Sequence, residues 1–164
     1  MTRVGITGHR DLSEATCRLV AAAITKQLGE FGSVHGISSL AEGADQIFAE
    51  QVLNGGGALT AVIPSAHYGW SFATTAGKAA YRRLRALATE VIELPFRSPS
   101  AEAYWAAGQR VVGLADVLLA VWDGTPSRGV GGTADVVAFA GERGVPTTVV
   151  WPPGSRRGHG ARAR

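Results

Sequence analysis

Three short stretches hold most of the residues that can do chemistry. The first is Gly8-His9-Arg10, which follows an apolar segment. A glycine there lets a phosphate approach the backbone, and the Arg10 fork can bind it through two nitrogens. The plain alternative is a tight turn with Arg10 paired to Asp11 or Glu14. His9 is an acid/base candidate or a hydrogen-bonding turn residue. The second stretch is Ser39-Leu40-Ala41-Glu42-Gly43-Ala44-Asp45. Ser39 and Glu42 have the spacing of a capping box. Gly43 in a first helical turn asks for a reason, either ligand approach or helix–sheet packing, and Asp45 suits the positive end of a helix. The third is Gly129-Val130-Gly131-Gly132-Thr133-Ala134-Asp135. Its Gly131-Gly132-Thr133 core is expected to present backbone N–H groups to a phosphate, or else to form a loop with Thr133 as helix cap. Asp123 and Asp135 flank it. Such carboxylates can accept hydrogen bonds from ribose hydroxyls or polarise a water for attack at an anomeric carbon; both can equally be caps. Trp70, Tyr104, Trp105, Trp122 and Trp151 read mostly as core, with any one outside the strands able to stack on a base.

These stretches need a scaffold, and the pattern supplies one. Val4 and Ile6 among small residues predict a buried strand over about 3–8. Cys17, Val20, Ile24 and Leu28 share one face of a helix running from a Ser13 cap to Gly29. A strand over 34–38 is followed by a helix that places Ala44, Ile47, Phe48 and Val52 on one face and stops at Asn54-Gly55-Gly56-Gly57. The strand 58–63 is halted by Pro64. Residues 65–75 read as a loop and 76–88 as a helix. A short strand over 91–94 is closed by Pro95, and a helix starts near Ser100. A strand over 116–122, a helix over about 133–143 and a strand over 147–151 complete the body. This alternation predicts one doubly wound α/β domain with a mostly parallel sheet and helices on both faces. All three chemical stretches follow strands, so they should gather at the carboxyl edge, where such sheets bind ligands.

The chain of 164 residues is 46% hydrophobic and 18% charged, as expected of one globular domain. It has no membrane-length apolar run and begins directly with a strand pattern, so a cytoplasmic protein with no membrane association is expected. The single cysteine, Cys17, excludes an intramolecular disulfide and reads as a core residue. Net charge is +3, yet Arg156, Arg157, Arg162 and Arg164 lie in the last ten residues without an acid, leaving −1 on the rest. A nucleic-acid-binding body should carry its own basic stripe. Arg82-Arg83-Arg85 is the nearest candidate and reads as a solvated helix face. Nucleic acid is therefore not the expected partner, and residues 152–164 are read as a flexible basic tail. The lack of a Gly-x-x-x-x-Gly-Lys-Ser/Thr loop argues against an ordinary NTPase, and the lack of Gly-x-Gly-x-x-Gly after the first strand against a standard dehydrogenase; neither His-Glu-x-x-His nor Cys-x-x-Cys is present, so no metal site is indicated.

Val4-Gly5-Ile6-Thr7-Gly8-His9-Arg10, Ser39-Leu40-Ala41-Glu42-Gly43-Ala44-Asp45 and Gly131-Gly132-Thr133 together resemble the Rossmann-like SLOG superfamily, over about residues 3–151. That superfamily unites DprA-type DNA-processing proteins with LOG phosphoribohydrolases, which cleave the N-glycosidic bond of nucleoside 5′-monophosphates. The middle stretch resembles the DprA pattern Ser-Gly-Leu-Ala-x-Gly-x-Asp, with Ser39 in place of the first glycine. The last resembles the LOG pattern Pro-Gly-Gly-x-Gly-Thr-x-x-Glu, but without its proline, and with Val136 where the glutamate falls. The resemblance implies a pocket for a phosphorylated nucleoside or nucleotide-derived ligand, in a sensor that needs no further cofactor, and a homo-oligomer such as a dimer. Gly8, Arg10 and Gly131–Thr133 would hold phosphate, with Glu42, Asp45 or Asp135 on ribose. The alternative it implies is an N-glycosidic hydrolase or transferase with Glu42 or Asp135 as acid/base.

Overall fold

The computed structural model describes residues 1–127 and 129–158. Six strands alternate with five helices: β1 (Thr2–Gly8), α1 (Glu14–Gly29), β2 (Val34–Ser38), α2 (Ala44–Asn54), β3 (Ala58–Ile63), α3 (Thr75–Leu87), β4 (Glu90–Glu93), α4 (Ala101–Leu114), β5 (Val117–Val121), α5 (Thr133–Glu142) and β6 (Thr147–Val149). A short 3-10 turn, Tyr68–Ser71, lies inside the segment expected to be loop. The strands form one sheet in the order β4-β3-β2-β1-β5-β6, with every pairing parallel. The chain is thus a doubly wound, Rossmann-like α/β domain.

Small and β-branched residues explain why the sheet can be covered on both sides. Val4 and Ile6 of β1 pack with Val20, Ile24 and Leu28 of α1 and with Phe48 and Val52 of α2. On the opposite face, Ile37, Val62 and Leu118 meet Val111 of α4 and Val136 of α5. Gly5 faces that second layer, and a Cβ there would lie 2.9 Å from Val111 and 3.1 Å from Ala115, so the glycine lets α4 lie close to β1. A third cluster, with Leu59, Tyr68, Tyr81 and Leu84, packs α3 and the 3-10 turn onto β3.

Helix starts largely follow their caps. Ser13, Thr74 and Ser100 each accept a backbone N–H of the first helical turn. Two local readings are corrected. The buried stripe of α1 runs through Thr16, Val20, Ile24 and Leu28, and Cys17 is only half-buried beside it. Thr16 is drawn inward because its hydroxyl accepts both from Ser13 Oγ at 2.7 Å and from the backbone N–H of Arg156 at 2.7 Å. The Ser39–Glu42 capping box does not form either: α2 begins at Ala44, with Gly43 in the cap position.

The sheet changes direction between β1 and β5. Gly8 is paired with Val121 at the carboxyl ends of those strands, and the His9 N–H donates to Val121 O at 3.0 Å. The turns after β1, β2 and β5 therefore meet at one edge. Among the described residues, no helix is long and apolar enough to cross a membrane.

Candidate functional site

Gly8 carries the first turn through a crowded point. A Cβ there would come within 2.5 Å of Ala44 and 2.8 Å of Val121. Gly43 carries the second. Its φ is +82°, and a Cβ would lie 2.6 Å from His9 O and 2.7 Å from Arg10 O. The N–H of Ala44 donates to His9 O at 3.1 Å. Gly43 is thus explained by packing of one turn on the other rather than by ligand approach.

Ser38, just before the Ser39 singled out in sequence, organises the second turn. Its hydroxyl accepts the Leu40 N–H at 3.0 Å and donates to Asp45 O at 3.1 Å. Leu40 is the one described non-glycine residue at positive φ, +59°, with its side chain fully buried. The carboxylate of Asp45 accepts the Ala41 N–H at 3.3 Å. Asp45 is 8% exposed, and burial raises its pKa from 3.8 to about 7, against the opposing pull of the Ala41 N–H and the Arg10 charge. Glu42 turns the other way and binds the Ala73 N–H at 2.8 Å and the Thr74 hydroxyl at 2.7 Å.

The third turn is laced by its own side chains. Asp123 accepts from the Thr125 N–H at 3.0 Å and the Thr125 hydroxyl at 2.6 Å. Partial burial works to raise its pKa, but the Thr125 and His9 contacts outweigh that and hold it at about 2. Asp135 accepts the Gly131 N–H at 3.0 Å, and its own N–H donates to Ser127 Oγ at 3.1 Å. Gly131 has φ +89° and lies against α4, where a Cβ would be 3.1 Å from the backbone nitrogen of Trp105. Since the Gly131 N–H is taken by Asp135, the donors this turn offers are the N–H groups of Gly132, Thr133 and Ala134. They stand at the start of α5, where Gly132 and not Thr133 occupies the cap and Ser127 Oγ takes only the Asp135 N–H.

His9 joins the first turn to the third. Its Nε2 lies 3.0 Å from Asp123 Oδ1 and 3.1 Å from the Asp123 N–H, so one tautomer donates to the carboxylate and the other accepts the N–H. The ring also meets Trp151 edge-on at 5.7 Å. Burial and the Arg157 charge lower its pKa, with Asp123 opposing.

The turns enclose a cleft of about 600 Å³. Gly8, His9, Arg10, Ser39, Asp45, Gly131, Gly132 and Thr133 all line it. Gly43, Asp123 and Asp135 stand behind the wall, while Glu42 lines an adjoining cavity. Three wall residues escaped the sequence reading or were given other places. Tyr68 comes from the segment read as loop. Tyr104 lies under the Arg10 guanidinium, 4.5 Å from ring centroid to Cζ, and had been named only as a possible stacking residue. Arg157, assigned to the tail, reaches the cleft by bonding Asp11 through Nε at 2.8 Å and Nη2 at 2.7 Å. Residues 152–158 lie along the β1–α1 turn, with Arg157 bridged antiparallel to Leu12 and the Ser13 N–H donating to Arg156 O at 3.2 Å. The remaining tail residues, Arg162 and Arg164 among them, lie outside the described residues. Arg10 has no ion-pair partner among the described residues: Asp11 pairs with Arg157, and Glu14 faces Arg18 at 3.5 Å.

No protein-family model matches the chain, and no curated protein matches it. Solved structures do. The chain aligns over 91% of its length with half (50%) of DNA processing protein A (DprA) from Streptococcus pneumoniae, at TM-score 0.68 and 20% identity. It aligns over 90% of its length with 64% of DprA from Helicobacter pylori, whose structure concerns single-stranded DNA binding, at TM-score 0.66 and 18% identity. The Moco carrier protein of Chlamydomonas rheinhardtii is similar over 90% of this chain and 74% of its own, at TM-score 0.55 and 18% identity. The chain is therefore shorter than the DprA chains it matches. It carries the Rossmann-like fold seen in DprA and in this carrier protein.

Proposed function

We propose that the protein binds a phosphorylated nucleoside or nucleotide-derived ligand in this cleft, as a sensor or carrier rather than a catalyst. The observation that carries the reading is the meeting of Arg10, without an ion-pair partner among the described residues, with the N–H groups of Gly132, Thr133 and Ala134 across one cleft at the β1–β5 switch. Backbone donors at a helix start suit a phosphate, and a guanidinium adds a bidentate partner. Tyr104 packs on the guanidinium before the ligand arrives, which lowers the ordering cost of binding. Asp45, nearly buried in the cleft wall, supplies a carboxyl for a ribose hydroxyl. Glu42 and Asp135, the candidates for N-glycosidic hydrolysis, are both held by backbone N–H groups, and for that reason binding is the reading preferred here.

Calorimetry with AMP, GMP, CMP and UMP tests the proposal, with free base assayed in the same samples. Micromolar binding of at least one, weakened about tenfold or more by Arg10→Ala, is the expected result. Base release abolished by Glu42→Ala or Asp135→Ala would replace the binding reading by the hydrolytic one. A homodimer, implied by the sequence resemblance, belongs to the same proposal and is checked by light scattering.

A further inference from the structure

A second cavity, of about 380 Å³, opens beside the first. The two share Arg10, Asp11, Ala41 and Tyr68, so Arg10 stands at their junction. Their chemistry differs. The first presents the N–H groups at the start of α5. Among the described residues the second has no cation in its lining except Arg10; its walls include Leu12, Ser71, Phe72 and Ala73 with the Glu42 carboxylate. A phosphate placed there would face Glu42 and Asp11, and like charges repel in a partly desolvated site. An uncharged ring carrying an amino group would not.

Glu42 is held in place for such a contact. One carboxylate oxygen accepts the Ala73 N–H and the other the Thr74 hydroxyl, at 2.8 and 2.7 Å. Gly77 on α3 makes room for it, since a Cβ at that position would overlap the carboxylate. Each carboxylate oxygen can take more than one donor, so acceptor capacity remains on the cavity side.

We propose that the ligand spans both cavities, with its phosphate at the start of α5, Arg10 beside the linkage, and an amino-bearing nucleobase in the second cavity recognised by Glu42. This rests on the binding reading above and narrows its ligand class to nucleotides with an exocyclic amine. Inosine and adenosine monophosphates differ at that group, and a carboxylate can only accept.

The test compares AMP, IMP and inorganic pyrophosphate by calorimetry on the full chain. AMP is expected to bind about tenfold more tightly than IMP, and Glu42→Gln to bring the two within about threefold, because an amide can donate as well as accept. Ser71→Leu and Ala73→Phe, made separately, fill the second cavity; each should weaken AMP about tenfold and leave pyrophosphate unchanged. Melting curves identify any variant that fails to fold, and the other then decides. Equal binding of AMP and IMP by the unmodified protein, or AMP binding untouched by a folded filling variant, overturns this inference and leaves the binding reading standing. Failure of AMP, GMP, CMP, UMP and pyrophosphate alike to bind overturns the two together.

Discussion

Asp45 stores an electrostatic cost in the cleft wall. Its pKa is raised by burial from 3.8 to about 7. Between about pH 4 and pH 7 the folded protein holds this proton more tightly than the unfolded chain does. The stability contributed by the group therefore falls as pH rises through that window and levels off above it. Asp45→Asn keeps an acceptor for the Ala41 N–H and removes the titration. Urea unfolding at pH 8 is expected to show the variant more stable by roughly 2–4 kcal/mol, with the gap closing towards pH 4. Gly43 gives the opposite kind of prediction. A side chain there meets both a positive φ and the His9 and Arg10 carbonyl oxygens. Gly43→Ala should cost about 2–4 kcal/mol in the same measurement and displace the Arg10 turn.

At the scale of elements, the strands and most helix ends were legible because their signals are local. Pro64 and Pro95 close β3 and β4, the Asn54-Gly55-Gly56-Gly57 run ends α2, and the caps of α1 and α4 are Ser13 and Ser100 as read. The failures come where a side chain is claimed by a distant partner. Glu42 has the spacing of a cap for its own helix but is taken by Ala73 and Thr74, some thirty residues on. Thr16 rather than Cys17 is drawn into the core because its hydroxyl serves Arg156. In the third turn the sequence pointed to Gly131 as a phosphate donor, and nothing local revealed that Asp135 would take its N–H. Asp135→Ala frees that N–H and removes the brace. Amide hydrogen exchange at Gly131 is expected to accelerate about tenfold or more, without change in β1.

For the molecule as a whole, the alternation of elements and the gathering of three turns at one edge were readable, since a parallel sheet puts every β–α turn at its carboxyl end. The closing of that edge by residues 152–158 was not, because the segment has no apolar periodicity and its anchors are polar contacts to Asp11, Ser13 and Thr16. Deleting residues 155–164 should leave the fold intact and lower Tm by about 2–6 °C, with faster exchange at the first turn of α1. Charge on the body stays balanced: Arg83 pairs with Glu50, and Arg85 approaches Glu93 at 3.5 Å. The central claim is that the cleft between Arg10 and the start of α5 holds a nucleotide phosphate. An amide-resolved NMR titration with AMP tests it most directly. The account predicts that the largest shifts fall on Gly132, Thr133 and Ala134, with the Arg10 side-chain Nε following. Shifts confined to other surfaces, or their persistence unchanged in Arg10→Ala, would contradict it.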